Sequence, residues 1–192
     1  MAKPILLLDI DGVVNAMSKQ APTHVWKASQ WNRGTQLARD GVEYPMLWAT
    51  PVIEWLSSLH TGGRVEIRWH STWQHEAPLV GKLMGLPEFE VQECPEFGSY
   101  QDNGSALASD LIKACMPPWW KYPAAERVVT EEKRPLIWID DDIDYQISRG
   151  ARDALRGLHR LRLVCPSQGT GIVPKHMKIV NEAVEFWEGQ DE

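Results

Sequence analysis

The chain is expected to fold as an α/β protein, with one doubly wound, Rossmann-like parallel sheet and helices on both faces. Three observations lead there. Ile5-Leu6-Leu7-Leu8 and Leu136-Ile137-Trp138-Ile139 are short apolar runs without polar alternation, as in strands covered on both sides. Segments with helical spacing of apolar residues alternate with these strand-like runs along the whole chain. The apolar runs also end abruptly in acids or small hydroxyls, where open α/β sheets place ligands.

The 192 residues are 43% hydrophobic and 24% charged, which fits a single domain, residues 1–192, with a substantial core. A net charge of −6 provides no general basic field for holding nucleic acid. Cys94, Cys115 and Cys165 are far apart and form no CxxC pair, so they read as buried thiols of a reducing compartment. The apolar run after Lys3 is broken at Asp9, too early for a signal peptide or a membrane span. A cytoplasmic protein with no membrane partner is expected. Ten tryptophans are the compositional oddity. Trp26, Trp31, Trp48, Trp73, Trp119 and Trp120 stand where they either plug gaps or stack a flat substrate.

After the first strand, residues 15–49 have no sustained period and contain Pro22, Gly34, Pro45 and the Asp40-Gly41 hairpin signal, so they read as a flap or hairpin insertion. Thr50-Pro51 then opens a helix, with Thr50 as N-cap, an apolar face of Val52, Ile53, Leu56 and Leu59, and a stop at Gly62-Gly63. Alternation of Val65, Ile67 and Trp69 predicts a strand over 64–69, running into His70-Ser71-Thr72-Trp73. Residues 74–87 read as a helix with Leu79, Val80, Leu83 and Met84 on its apolar face, and Phe89 to Gln92 as a short strand. Helices follow over 105–116 and 122–131, joined by a rigid connector at Pro117-Pro118-Trp119-Trp120. Leu136 to Ile139 is the third buried strand, and a helix with Ile147, Ala151, Ala154 and Leu158 comes after it. A fourth strand at Leu161 to Cys165 leads through Gly169 and Gly171 to a last helix from Pro174, with Met177, Val180, Val184 and Trp187 inward.

In a parallel sheet all carboxyl ends share one edge, so Asp9, Asp11, Ser71, Thr72, Asp140 and Asp141 can converge. Asp9 and Asp11, two apart, leave the first strand on the same side, and Gly12 permits a tight turn or a close ligand. Four carboxylates in one cleft cannot all stay ionised without a cation, and oxygen-only ligands favour a hard ion such as Mg²⁺. A metal beside a small hydroxyl and a lysine forms a pocket for a phosphate dianion. One aspartate can then attack phosphorus while a second moves the proton. The acids at 140–144 alone also suit a solvated helix N-terminus, which is the reading for Asp142 and Asp144. A calcium loop does not fit, because Gly12 follows Asp11 directly. Walker, GxGxxG and GxSxG motifs are all missing.

Asp9-Ile10-Asp11-Gly12-Val13 resembles the DxDG(T/V) signature of the haloacid dehalogenase (HAD) superfamily of phosphatases. Ser71/Thr72 after a strand resembles its second motif, and Asp140/Asp141 after Leu136–Ile139 its fourth. The stretches 69–75, 119–121 and 135–142 further resemble small bacterial and phage HAD-like proteins, some linked to RNA repair. The resemblance implies Asp9 as nucleophile and Asp11 as general acid/base. It implies Mg²⁺ on the Asp9 carboxylate, the Asp11 backbone carbonyl, and Asp140 or Asp141. Ser71, or Thr72, would contact the phosphoryl oxygens. Lys121 is favoured as the phosphate lysine over Lys133, which belongs at the strand's amino end. Gly12, Thr72, Trp73 and His75 would face the substrate, whereas His70 reads as packing. With no long insertion between motifs, the resemblance implies a nearly capless enzyme that accepts larger substrates. The expected function is Mg²⁺-dependent hydrolysis of a phosphomonoester through an aspartyl-phosphate. Its substrate would be a phosphorylated small molecule such as a nucleotide, or a nucleic-acid end. The rival expectation is a catalytically weak HAD-like scaffold that binds or regulates another protein, with exposed flap tryptophans as its mark.

Overall fold

In the computed structural model, which describes residues 2–93, 120–146 and 160–189, Ile5–Leu8 is strand β1 and all four of its side chains are fully buried. An antiparallel hairpin follows, β2 (Trp31–Leu37) and β3 (Glu43–Ala49), and β3 runs directly into helix α1 (Thr50–Thr61). Then come β4 (Glu66–Trp69), a 3₁₀ turn at Gln74–Glu76, α2 (Ala77–Met84) and β5 (Glu90–Val91). Beyond the next described residue lie α3 (Lys121–Thr130), β6 (Leu136–Ile139), α4 (Ile143–Gln146), β7 (Leu161–Val164) and α5 (Pro174–Glu188). The main sheet has the order β5-β4-β1-β6-β7 with every pairing parallel, so β1 is central.

The pleat of β1 separates two cores. Leu6 and Leu8 enter the larger one with α1, α2, α5 and the inner side of the hairpin. Ile5 and Leu7 enter a smaller one with Ala125 and Val128 of α3, Leu136 and Trp138. Helices therefore cover both faces, as the unbroken apolar run of β1 requires. Each such buried aliphatic side chain contributes about 1.5–3 kcal/mol relative to exposure. Among the described residues no helix is long and apolar enough to cross a membrane.

Several local expectations shift. The flap holds a regular hairpin in register from Trp31↔Ala49 to Leu37↔Glu43, turned at Asp40-Gly41 with Gly41 at φ 78°. Asp40 Oδ1 accepts the Val42 N–H at 2.9 Å and closes the turn. Thr50 is not a side-chain cap; its hydroxyl accepts from Asn32 Nδ2 at 2.9 Å, tying the hairpin to α1. The segment 74–87 splits into the 3₁₀ turn and α2, and Leu79 and Leu83 are exposed rather than inward. Gly81 explains the rotation: a Cβ there would lie 2.9 Å from the Trp69 ring, so the helix presents its narrow side to β4. The predicted strand ends at 64–65, 89, 92 and 165 fall outside the ladders. In α5, Val180, Val184 and Trp187 are buried as expected and Met177 is half-buried. The expected helix at 105–116, the connector at 117–119 with Trp119, the helix through Ile147 to Leu158, Cys94 and Cys115 lie outside the described residues.

Candidate active site

Register decides which strand-end side chains meet. Leu8 is level with Trp69 on one side and Ile139 on the other, and all three face the larger core. One residue further on, the chain turns over to the opposite face, where α3 packs. Asp9, His70 and Asp140 occupy that row, continuing the ladder through Asp9 N–H to Ile139 O (3.1 Å), His70 N–H to Leu8 O (2.8 Å) and Asp140 N–H to Val164 O (3.1 Å).

Lys121, the first residue of α3, reaches into this row. Its Nζ lies 2.8 Å from Asp9 Oδ2 and 2.7 Å from Asp140 Oδ2, and Lys121, Asp9 and Asp140 are all buried. Burial alone pushes the ammonium pKa down, but the charges of Asp9 and Asp140 outweigh this and raise it. The other Asp9 oxygen accepts the Ile10 N–H at 2.8 Å, and the other Asp140 oxygen accepts the Asp142 N–H at 3.0 Å. Lys133 is exposed, in the loop that leads into β6, at the opposite edge.

Asp141 completes an acidic triad. Asp9, Asp140 and Asp141 offer oxygens that all lie within 4.8 Å of one another. Burial and then the charge of Asp9 push Asp140 up to about 7, against the pull of Lys121. The same two causes, with Asp142, push Asp141 up to about 6. One ammonium against three carboxylates leaves the site short of positive charge, and a donor set of oxygens alone suits a hard divalent cation. Room is kept by Gly12, at φ 73°: a Cβ there would overlap the Asp141 carboxylate. The loop carrying Asp141 is tied to the end of β7, where Cys165 Sγ donates to Asp141 O at 3.1 Å. Burial pushes that thiol up to about 11, so it stays protonated as a donor.

The Asp11 carboxylate stands outside the triad. Its Oδ1 accepts from Asn15 Nδ2 at 2.7 Å and its Oδ2 from Trp73 Nε1 at 2.8 Å. Burial raises its pKa, partly offset by these two hydrogen bonds. Ser71 is buried beside β1 at the end of β4, its Oγ 3.5 Å from the Trp73 N–H, while Thr72 and His75 are exposed.

His70 packs edge-on to Trp120 (centroids 5.1 Å apart) and against Trp138 (5.6 Å), fully buried, with no hydrogen-bond partner among the described residues on either ring nitrogen. Burial, then the charge of Lys121, drives its pKa well below the usual range and keeps it neutral. Trp48, Trp73 and Trp120 are likewise buried, and Trp26 and Trp31 are half-buried with their indole N–H groups near the carbonyls of Ile172 and Trp26.

Asn15 was missed at the sequence level. Its signal was a lone amide in the apolar stretch Val13-Val14-Asn15-Ala16, a buried polar group that needs partners. No family model matches the chain, and no curated protein matches it.

Proposed function

We propose that the chain is a Mg²⁺-dependent phosphomonoester hydrolase of HAD-like type that works through an aspartyl-phosphate on Asp9. The observation that carries this reading is Lys121 held between Asp9 and Asp140 beside Asp141, at the carboxyl edge of the central strands. Asp9, Asp140 and Asp141 would hold the cation, with the Asp11 backbone carbonyl in the role the HAD resemblance implies. When bound, the ion neutralises phosphoryl oxygens and lowers repulsion between substrate and carboxylates.

The Asp9 carboxylate, held at Oδ1 by Ile10 and at Oδ2 by Lys121, attacks phosphorus. Lys121 balances negative charge on the transferring group, and Ser71 donates to a phosphoryl oxygen. Asp11 gives its proton to the leaving oxygen and then takes one from the water that hydrolyses the acyl phosphate. Burial favours the protonated form that the first step needs. The substrate proposed is a nucleotide or a phosphorylated nucleic-acid end, a choice that rests on the resemblance.

Phosphate release from p-nitrophenyl phosphate, with Mg²⁺ and with EDTA, tests the proposal. Release should require the ion and fall by about 10³-fold or more in Asp9→Asn. Undiminished turnover in a folded Asp9→Asn protein removes the mechanism.

A further inference from the structure

Both oxygens of Asp11 are held by N–H donors that sit far apart in the chain, Asn15 at 2.7 Å and Trp73 at 2.8 Å. Each donor is in turn braced by the same strand. The buried Asn15 accepts the Leu47 N–H of β3 on its Oδ1 at 2.8 Å, so one amide spans from the hairpin backbone to the carboxylate. The Trp73 ring meets Tyr44 of β3 edge to face, centroids 5.5 Å apart at 80°. Tyr44 is anchored at the hairpin turn, where its hydroxyl donates to Asp40 Oδ2 at 2.9 Å. The supports of Asp11 therefore converge on one element that contributes no residue to the acidic triad.

We infer that Asn15 and Trp73 are positioning residues that fix the Asp11 carboxyl in one orientation, and that strand β3 of the hairpin sets them. The inference deepens the proposed hydrolase reading and rests on Asp11 as its proton donor. Two N–H bonds occupy one lone pair on each oxygen, so the proton can be presented only from the remaining directions. A donor misplaced by about 1 Å costs on the order of 10²-fold. That loss falls unequally on substrates. An aliphatic alkoxide leaves only as it takes the proton, whereas a dinitrophenoxide leaves as a stable anion. Residues that act only by orienting Asp11 therefore govern leaving-group preference, which a merely structural role does not.

The test compares glycerol 2-phosphate with 2,4-dinitrophenyl phosphate, both with Mg²⁺, in the full chain. Trp73→Phe keeps an aromatic ring and deletes the N–H. Asn15→Ala deletes the donor to Asp11 together with the acceptor for the Leu47 N–H. In each, the ratio of kcat/KM for the alkyl ester to that for the activated ester should fall at least about tenfold. Tyr44→Leu, at an exposed position, should shift the ratio the same way by about threefold, through looser Trp73 packing. An equal loss on both esters in variants with wild-type melting temperature overturns the inference and leaves the hydrolase reading intact. An unchanged ratio in Tyr44→Leu removes the Tyr44 brace from it. A wild-type protein inert on both esters overturns the hydrolase reading and the inference together.

Discussion

Lys121 neutralises two carboxylates in a row of buried side chains, so its loss strands both. Removing one member of a buried ion pair typically costs about 3–5 kcal/mol. Lys121→Met should therefore melt well below wild type in EDTA, with part of the difference recovered by Mg²⁺, because the ion supplies the missing positive charge. A variant equally stable with and without Mg²⁺ would contradict cation binding at the triad. Gly12 gives a second prediction at this scale. Its backbone conformation is one that L side chains rarely adopt, and an added methyl group meets Asp141. Gly12→Ala should cost about 1–3 kcal/mol and weaken Mg²⁺ binding measured by calorimetry.

At the level of elements, α5 begins with an internal bond that acid should break. Val173 N–H donates to His176 Nδ1 at 3.2 Å, and burial, then the charge of Lys175, lowers the His176 pKa to about 4. The folded chain keeps this ring neutral while the unfolded chain protonates it near 6.5. Stability from this group is thus fully present above the unfolded value and is lost as pH falls from there through about 4. His176→Asn, which retains an acceptor for Val173, should lose less melting temperature than wild type between about pH 7 and pH 4.5. Equal losses would clear His176 of that role. Helix α2 shows where element-level reading stops. Apolar spacing put Leu79 and Leu83 inward, but the large ring of Trp69 beneath the helix selects the face that carries Gly81. Spacing marks that a helix has an apolar side. It does not say how much room the neighbouring strand leaves.

For the whole molecule, the acidic edge of the sheet links folding to pH and, on the proposed reading, to Mg²⁺. Burial and the charge of Asp9 push Asp140 up to about 7 and Asp141 up to about 6, so these two groups hold more protons in the folded chain than in the unfolded one. Their contribution is present below the ordinary value and is lost as pH rises through those raised values, unless a cation compensates. Mg²⁺ should accordingly raise the melting temperature more at about pH 8 than at about pH 5, because the ion competes with those protons. At a hundredfold excess over Kd the gain is about 2.7 kcal/mol. An equal shift at both pH values would indicate that the ion binds elsewhere.

What the sequence determined by itself is the chain order of the strands of the main sheet and the acids at their ends. Ile5–Leu8 and Leu136–Ile139 are apolar throughout, so each had to be a strand covered on both faces, and Asp9 and Asp140 had to leave at one edge. The tertiary structure decided what those acids meet. Only the register that levels Leu8 with Trp69 and Ile139 turns Asp9, His70 and Asp140 to a common face. Only the packing of α3 on that face brings Lys121 between the two carboxylates. The clamp on Asp11 was hidden for a similar reason. Asn15 lies only four residues from Asp11, but Trp73 arrives from the loop after β4 and the Leu47 N–H from β3, so two of the three hydrogen bonds depend on segments distant in the chain. Periodicity is a property of neighbours along the chain, whereas contacts across a sheet edge depend on register, and register is settled by the whole core at once.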